Sequence, residues 1–100
     1  MIMTVDIGGT KTLCALWEGR TLAEQEKYAT SSIEDFPALF SNYAGSRPIR
    51  RLCVAAAGPV SEGRVELTNT GQRLSVSEMR KKLARIPHIT LINDLEALAC

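Results

Sequence analysis

The sequence predicts an α/β domain: a sheet that opens as an antiparallel meander, continues into further strands and is flanked by helices. Three observations carry this. Residues 2–28 hold three strand-like runs separated by short turns. Residues 33–43 and 76–86 each place apolar side chains at helical spacing. A short strand-like run follows each helical segment, an unbroken apolar one at 52–57 and another at 88–92.

Taken in order, the first strand runs from Ile2 to Ile7 and the second from about Thr12 to Trp17, with a turn at Glu18-Gly19-Arg20. Thr21–Tyr28 reads as a third, more polar strand exposed on one side. Ile33, Phe36, Leu39, Phe40 and Tyr43 then form a helical stripe. Ser31 or Ser32 is placed to cap this helix, and Glu34 and Asp35 suit the positive end of its dipole. Pro37 lacks an N–H and is cheap only in a first turn, which moves the regular helix toward Asp35. Gly45 and Pro48 end it.

Leu52–Ala57 is an unbroken apolar run, the pattern of a central strand buried on both faces, and Gly58-Pro59 breaks it. Val65 and Leu67 read as a strand after the Glu62-Gly63 turn, closed by Thr68-Asn69. Ser75-Val76-Ser77-Glu78 is a capping box for a second helix. Its stripe is Val76, Met79, Leu83 and Ile86, and Pro87 stops it. His88–Ile92 is the last strand, with Asn93 and Asp94 at its C-terminal end. Residues 95–100 read as the first turn and a half of another helix without a C-cap. Helices that short are marginal alone, so residues 1–100 are expected to be the N-terminal lobe of a longer protein, with a second lobe beyond Cys100.

Composition narrows the function. Hydrophobic residues make up 45% of the chain, enough for a packed core. Twelve basic residues against eleven acidic leave a formal charge of +1, which gives no electrostatic case for nucleic acid or an anionic membrane. Arg80-Lys81-Lys82 falls on a helix and reads as a solvated face. Cys14, Cys53 and Cys100 have no metal-site spacing and cannot form a closed disulfide set. With no secretory leader pattern at the N-terminus, a reducing, cytoplasmic location is expected. No apolar run reaches the roughly 18 residues of a membrane span.

Asp6-Ile7-Gly8-Gly9-Thr10-Lys11-Thr12 carries the chemistry. Two glycines between strands leave backbone N–H groups uncovered, able to form a concave nest for a phosphate. Asp6 is placed to hold a water on a phosphate-bound metal ion, and Thr10 adds a hydroxyl. The same residues also suit an ordinary hairpin that needs glycine for positive φ.

Two further signals follow in order: Ala55-Ala56-Ala57-Gly58-Pro59-Val60 with Leu67-Thr68-Asn69, and Leu91-Ile92-Asn93-Asp94-Leu95-Glu96-Ala97. With the glycine turn, this ordered set resembles bacterial glucokinases, within the wider sugar-kinase, hexokinase and actin-like ATPase superfamily. The resemblance covers essentially the whole chain. It implies a ribonuclease H-like lobe, an antiparallel meander joined to parallel strands with helices on the faces. It implies ATP-dependent phosphorylation of glucose at its 6-hydroxyl with Mg2+, in a cleft between two lobes. Asp6, Gly8, Gly9 and Thr10 match the family's first phosphate loop, with Asp6 near the metal. Asn93 matches a sugar-binding asparagine and Asp94 the catalytic base. Gly58 and Asn69 match loops that border the sugar. Thr70-Gly71-Gln72 departs from the family, which often carries a tryptophan there.

Plainer roles stand beside these. Asp94 also suits a helix cap. His88 and Trp17 read as structural, and Lys11 as either a phosphate contact or a solvent-facing strand residue. Two other functions share the motifs: a sister-family kinase for another hexose or an amino sugar, and a non-catalytic sugar-sensing regulator on the same fold. Such regulators usually carry a helix-turn-helix ahead of the phosphate loop, whereas this sequence opens on the first strand. The isolated 100-residue chain is expected to be inactive. It is also expected to self-associate, as a dimer through a surface that includes Leu95–Ala99.

Overall fold

The computed structural model describes residues 1–56, 58, 60–67 and 72–93. Its elements run β1 (Ile2–Ile7), β2 (Lys11–Glu18), β3 (Thr21–Ala29), a 3-10 turn (Thr30–Ser32), α1 (Phe36–Ala44), β4 (Arg51–Ala56), β5 (Val60–Ser61), β6 (Arg64–Glu66), β7 (Arg73–Ser75), α2 (Val76–Lys82) and β8 (His88–Asn93). Five strands form one sheet in the order β3-β2-β1-β4-β8. The first three are antiparallel, while β1, β4 and β8 run parallel. This is the meander joined to parallel strands that the resemblance implies.

Alternation explains how the sheet packs. Met3, Val5 and Ile7 of β1, Cys14 and Leu16 of β2, and Leu52, Val54 and Ala56 of β4 point to one face and are buried. Phe36 and Phe40 of α1 and Met79 of α2 close over that face, in one contiguous core. Both described α-helices therefore lie on the same side. Cys53 and Ala55 point to the other side and are only half-buried. The expectation that β4 is buried on both faces is thus corrected. The strand is central, between β1 and β8, but an unbroken apolar run does not reveal whether its second face is covered. β3 is an edge strand with no fully buried residue, so it is exposed on both sides rather than one.

The cap of α1 is also corrected. Ser31 and Ser32 lie in the 3-10 turn, where the Ser32 hydroxyl donates to the Ala29 carbonyl at 2.6 Å. Asp35 is the N-cap, accepting from the Ala38 N–H at 3.1 Å, and Pro37 falls in the first turn, where its missing N–H costs nothing. Gly45 ends the helix at φ 59°. Ile33 lies before the helix yet is buried. The second capping box is where the sequence places it, with Ser75 Oγ accepting from the Glu78 N–H at 3.2 Å. α2 stops at Lys82, earlier than the Pro87 signal, although Leu83 and Ile86 still reach the core.

β5, β6 and β7 make a second, three-stranded antiparallel sheet in that order. The expected strand at Val65 and Leu67 is β6, which ends at Glu66, and β7 is a strand the sequence reading does not contain. The closing Thr68-Asn69 and the helix expected at 95–100 lie outside the described residues.

Candidate functional site

The parallel register brings the chemistry to one edge. Ile7 of β1, Ala56 of β4 and Asn93 of β8 stand opposite one another in adjacent strands. The glycine turn, Gly58 and Asn93 therefore all sit at the C-terminal ends of parallel strands, where open α/β sheets gather their ligands.

The turn is built by close backbone contact. The Gly8 N–H donates to the Lys11 carbonyl at 2.9 Å, and a Cβ on Gly8 would stand 2.9 Å from that same oxygen. Glycine is required there because there is no room for a side chain. The hairpin reading rests on positive φ instead, but among the described residues the positive-φ glycines are Gly19, Gly45, Gly58 and Gly63, without Gly8 or Gly9. Asp6 is exposed at the end of β1, and its alternation places it on the face opposite the core. Lys11 is exposed as well.

Two threonines hold the turn from beneath, and sequence reasoning missed both. Thr12 and Thr30 are 0% and 2% exposed, the two buried polar side chains among the described residues. Their hydroxyls meet at 2.8 Å, Thr30 Oγ1 donates to the Gly8 carbonyl at 3.0 Å, and the Thr30 N–H donates to the Thr10 carbonyl at 2.9 Å. Nothing in the local sequence marks this pairing, because its partners are 18 and 22 positions apart.

Gly58 and Asn93 come together directly: the Asn93 side-chain amide donates to the Gly58 carbonyl. Gly58 has φ 130°, and a Cβ there would stand 3.1 Å from the Glu66 carbonyl, so this position also needs glycine. An asparagine amide has two N–H donors and an acceptor oxygen. Its bond to Gly58 fixes how Asn93 is presented at the sheet edge. Asn69 and Asp94 lie outside the described residues. The base of the segment that carries Asn69 is set by the Leu67 N–H, which donates to the Gln72 carbonyl at 2.8 Å, and by Gln72 Nε2, which donates to the Ile33 carbonyl at 2.7 Å.

The remaining candidates take plain roles. Trp17 Nε1 donates to Thr4 Oγ1 at 3.0 Å across the sheet. Arg80, Lys81 and Lys82 are exposed, and Lys82 pairs with Asp35 at 3.2 Å. Among the described residues no group of three His, Cys, Asp or Glu side chains converges on a metal position. The donor set at the turn, one exposed carboxylate beside backbone amides, fits a metal ion that arrives bound to phosphate and is reached through water.

A family profile for glucokinases matches residues 3–100. The chain is 33% identical to a glucokinase of Nostoc punctiforme over 106 residues, covering 98% of this chain and 31% of that protein. It is 33% identical to a glucokinase of Pectobacterium atrosepticum over 103 residues, covering 98% of this chain and 32% of that protein. Among solved structures, a glucokinase from an Antarctic psychrotroph superposes with a TM-score of 0.82 at 27% identity, over 98% of this chain and 33% of that one. A glucokinase from Balamuthia mandrillaris in complex with glucose gives 0.68 at 30% identity, over 95% and 30%. The chain thus spans about a third of the length of the relatives it matches. With the profile matched over nearly every residue and the fold shared, the chain belongs to the glucokinase family.

Proposed function

We propose that these residues form one lobe of an ATP-dependent glucose kinase, whose second lobe lies in the remaining two-thirds of the family's length. The observation that carries the reading is the single sheet edge shared by the glycine turn, Gly58 and Asn93. Phosphoryl transfer needs positioning and charge stabilisation more than covalent chemistry. In this reading the backbone of the Gly8–Thr10 turn faces the terminal phosphate of MgATP, and Asp6 would reach the bound metal ion through a water. Asn93, with Asn69 and the Gly58 segment, orients the sugar. Asp94 accepts the proton of the 6-hydroxyl as that oxygen bonds to phosphorus and the bond to the ADP oxygen breaks. The protein acts in the cytoplasm, and the isolated 100-residue chain self-associates.

The test is a coupled assay of glucose 6-phosphate formation on the complete protein. Activity with ATP and glucose is expected, and Asp94→Asn is expected to lower turnover by roughly 100-fold or more, the scale of lost general-base catalysis. Unchanged turnover in Asp94→Asn overturns the base assignment. A substrate panel separates glucose from another hexose or an amino sugar, the sister-family reading. Strong turnover by the 100-residue chain alone overturns its reading as half a site.

A further inference from the structure

Thr30 opens the 3-10 turn just after β3, 22 positions from Gly8, and grips the glycine turn at two points. Its hydroxyl donates to the Gly8 carbonyl and its N–H to the Thr10 carbonyl. A threonine hydroxyl carries one proton. With that proton on Gly8, the 2.8 Å contact to Thr12 must run from the Thr12 O–H to Thr30 Oγ1. Thr12, Thr30 and Gly8 therefore form a directional chain of hydrogen bonds. It lies in buried surroundings, where each bond polarises the next.

The consequence falls on the turn. In a trans peptide the N–H points opposite to the C=O, and no peptide bond among the described residues is cis. Holding the Gly8 carbonyl toward Thr30 aims the Gly9 N–H to the other side of the turn. Holding the Thr10 carbonyl does the same for the Lys11 N–H. A backbone anion site needs its carbonyls turned away from the ligand and its amides turned toward it. Thr30 sets that polarity for peptide units on both flanks of Gly9 and Thr10. A valine would fill the same space but leave the Gly8 carbonyl without its donor.

We propose that Thr30, with Thr12 behind it, is a positioning residue of the phosphate loop, and that its hydroxyl sets the loop's hold on the terminal phosphates of a nucleoside triphosphate. The role rests on the kinase reading above. It is tested in two arms. In the 15N-labelled 100-residue chain, Thr30→Val is expected to raise amide exchange at Gly8 and at residue 30, whose N–H groups bond to the Lys11 and Thr10 carbonyls, by roughly tenfold or more relative to the core amides of Val5 and Leu52, the scale of one lost hydrogen bond. Thr30→Ser is expected to restore the original ratio. In the complete protein, Thr30→Val is expected to raise the KM for MgATP by a similar factor and leave the KM for glucose unchanged.

Exchange at Gly8 and residue 30 that moves only in step with the core overturns the proposal, as does an equal rise in both KM values. If Thr30→Val does not fold, the unaltered chain decides. A slowly exchanging Thr30 hydroxyl proton that correlates with Gly8 supports the grip, and a freely exchanging one overturns it. Failure of the unaltered complete protein to use ATP would strike the kinase reading alone, and the exchange arm would still judge the loop.

Discussion

Cys14 shows how one buried group gives the fold a pH dependence. It is fully buried in β2, and burial, reinforced by the Glu26 carboxylate, pushes its thiol from 9.0 up to about 11. Burial likewise pushes the Tyr43 hydroxyl from 10.0 up to about 12, with Glu24 adding to it. The unfolded chain releases the Cys14 proton near pH 9, while the folded chain keeps it to about 11, so the folded state binds more protons in between. Stability is therefore fully present below about pH 9 and falls as pH rises through that window. Denaturant midpoints across the range are expected to decline, and Cys14→Ala to flatten the decline. A midpoint unchanged up to about pH 11 would rule this out. Peptide mapping after mild alkylation is expected to find Cys14 unmodified in the folded chain. The glycine turn was legible as a tight strand–strand turn, because two glycines between two strand-like runs mark one. Thr12 and Thr30 were not legible, because a buried hydroxyl pair is made by tertiary packing between strands distant in sequence.

The elements obey their local signals wherever one residue type is obligatory. Gly8 is such a case. In Gly8→Ala the new Cβ would meet the Lys11 carbonyl at 2.9 Å, and the obstacle is backbone rather than a side chain that can swing aside. The expected cost is roughly 1–3 kcal/mol, measurable by denaturation, with the β1–β2 turn displaced. Phe40 lies at the centre of the helix-covered core and is fully buried, with Phe36 at 6.1 Å between ring centroids. Phe40→Ala is expected to cost about 3–5 kcal/mol through the cavity it leaves. Asp35 illustrates where reading by element went astray. The cap expected at Ser31 or Ser32 falls instead on Asp35, because Pro37 has to lie in the first turn. The Ala38 N–H and then Lys82 hold the Asp35 carboxyl below its usual range. Its contribution is therefore present above the usual carboxylate pKa and is lost as pH falls through the lowered value. The short strand β7 was missed because three residues leading into a capping box carry no periodicity of their own.

At the scale of the whole molecule, the sheet has one closed face and one open one. The open face is legible only once register is known. Leu22, Trp17, Ile2, Arg51 and His88 form one row across it, and Lys27, Leu13, Asp6, Ala55 and Ile92 another. Both described α-helices lie on the opposite side, which leaves Ile2 37% and Leu22 41% exposed with Trp17 half-buried between them. The tail Leu95–Ala99, invoked for self-association from the sequence, lies outside the described residues. The apolar row supplies a separate reason for the same expectation. A second copy can cover it at little electrostatic cost, because a formal charge of +1 gives two chains almost no mutual repulsion. Sedimentation of the 100-residue chain is therefore expected to show association that strengthens with concentration. Trp17 is the only tryptophan, so its emission is expected to shift to longer wavelength on dilution as that row returns to water. Ile2→Glu combined with Leu22→Lys is expected to give a monomer at every concentration, with far-ultraviolet dichroism unchanged because neither side chain belongs to the core. A chain that stays monomeric at the highest attainable concentration would remove the open face as a site of self-association. Association that survives the double substitution would move the interface elsewhere on the surface.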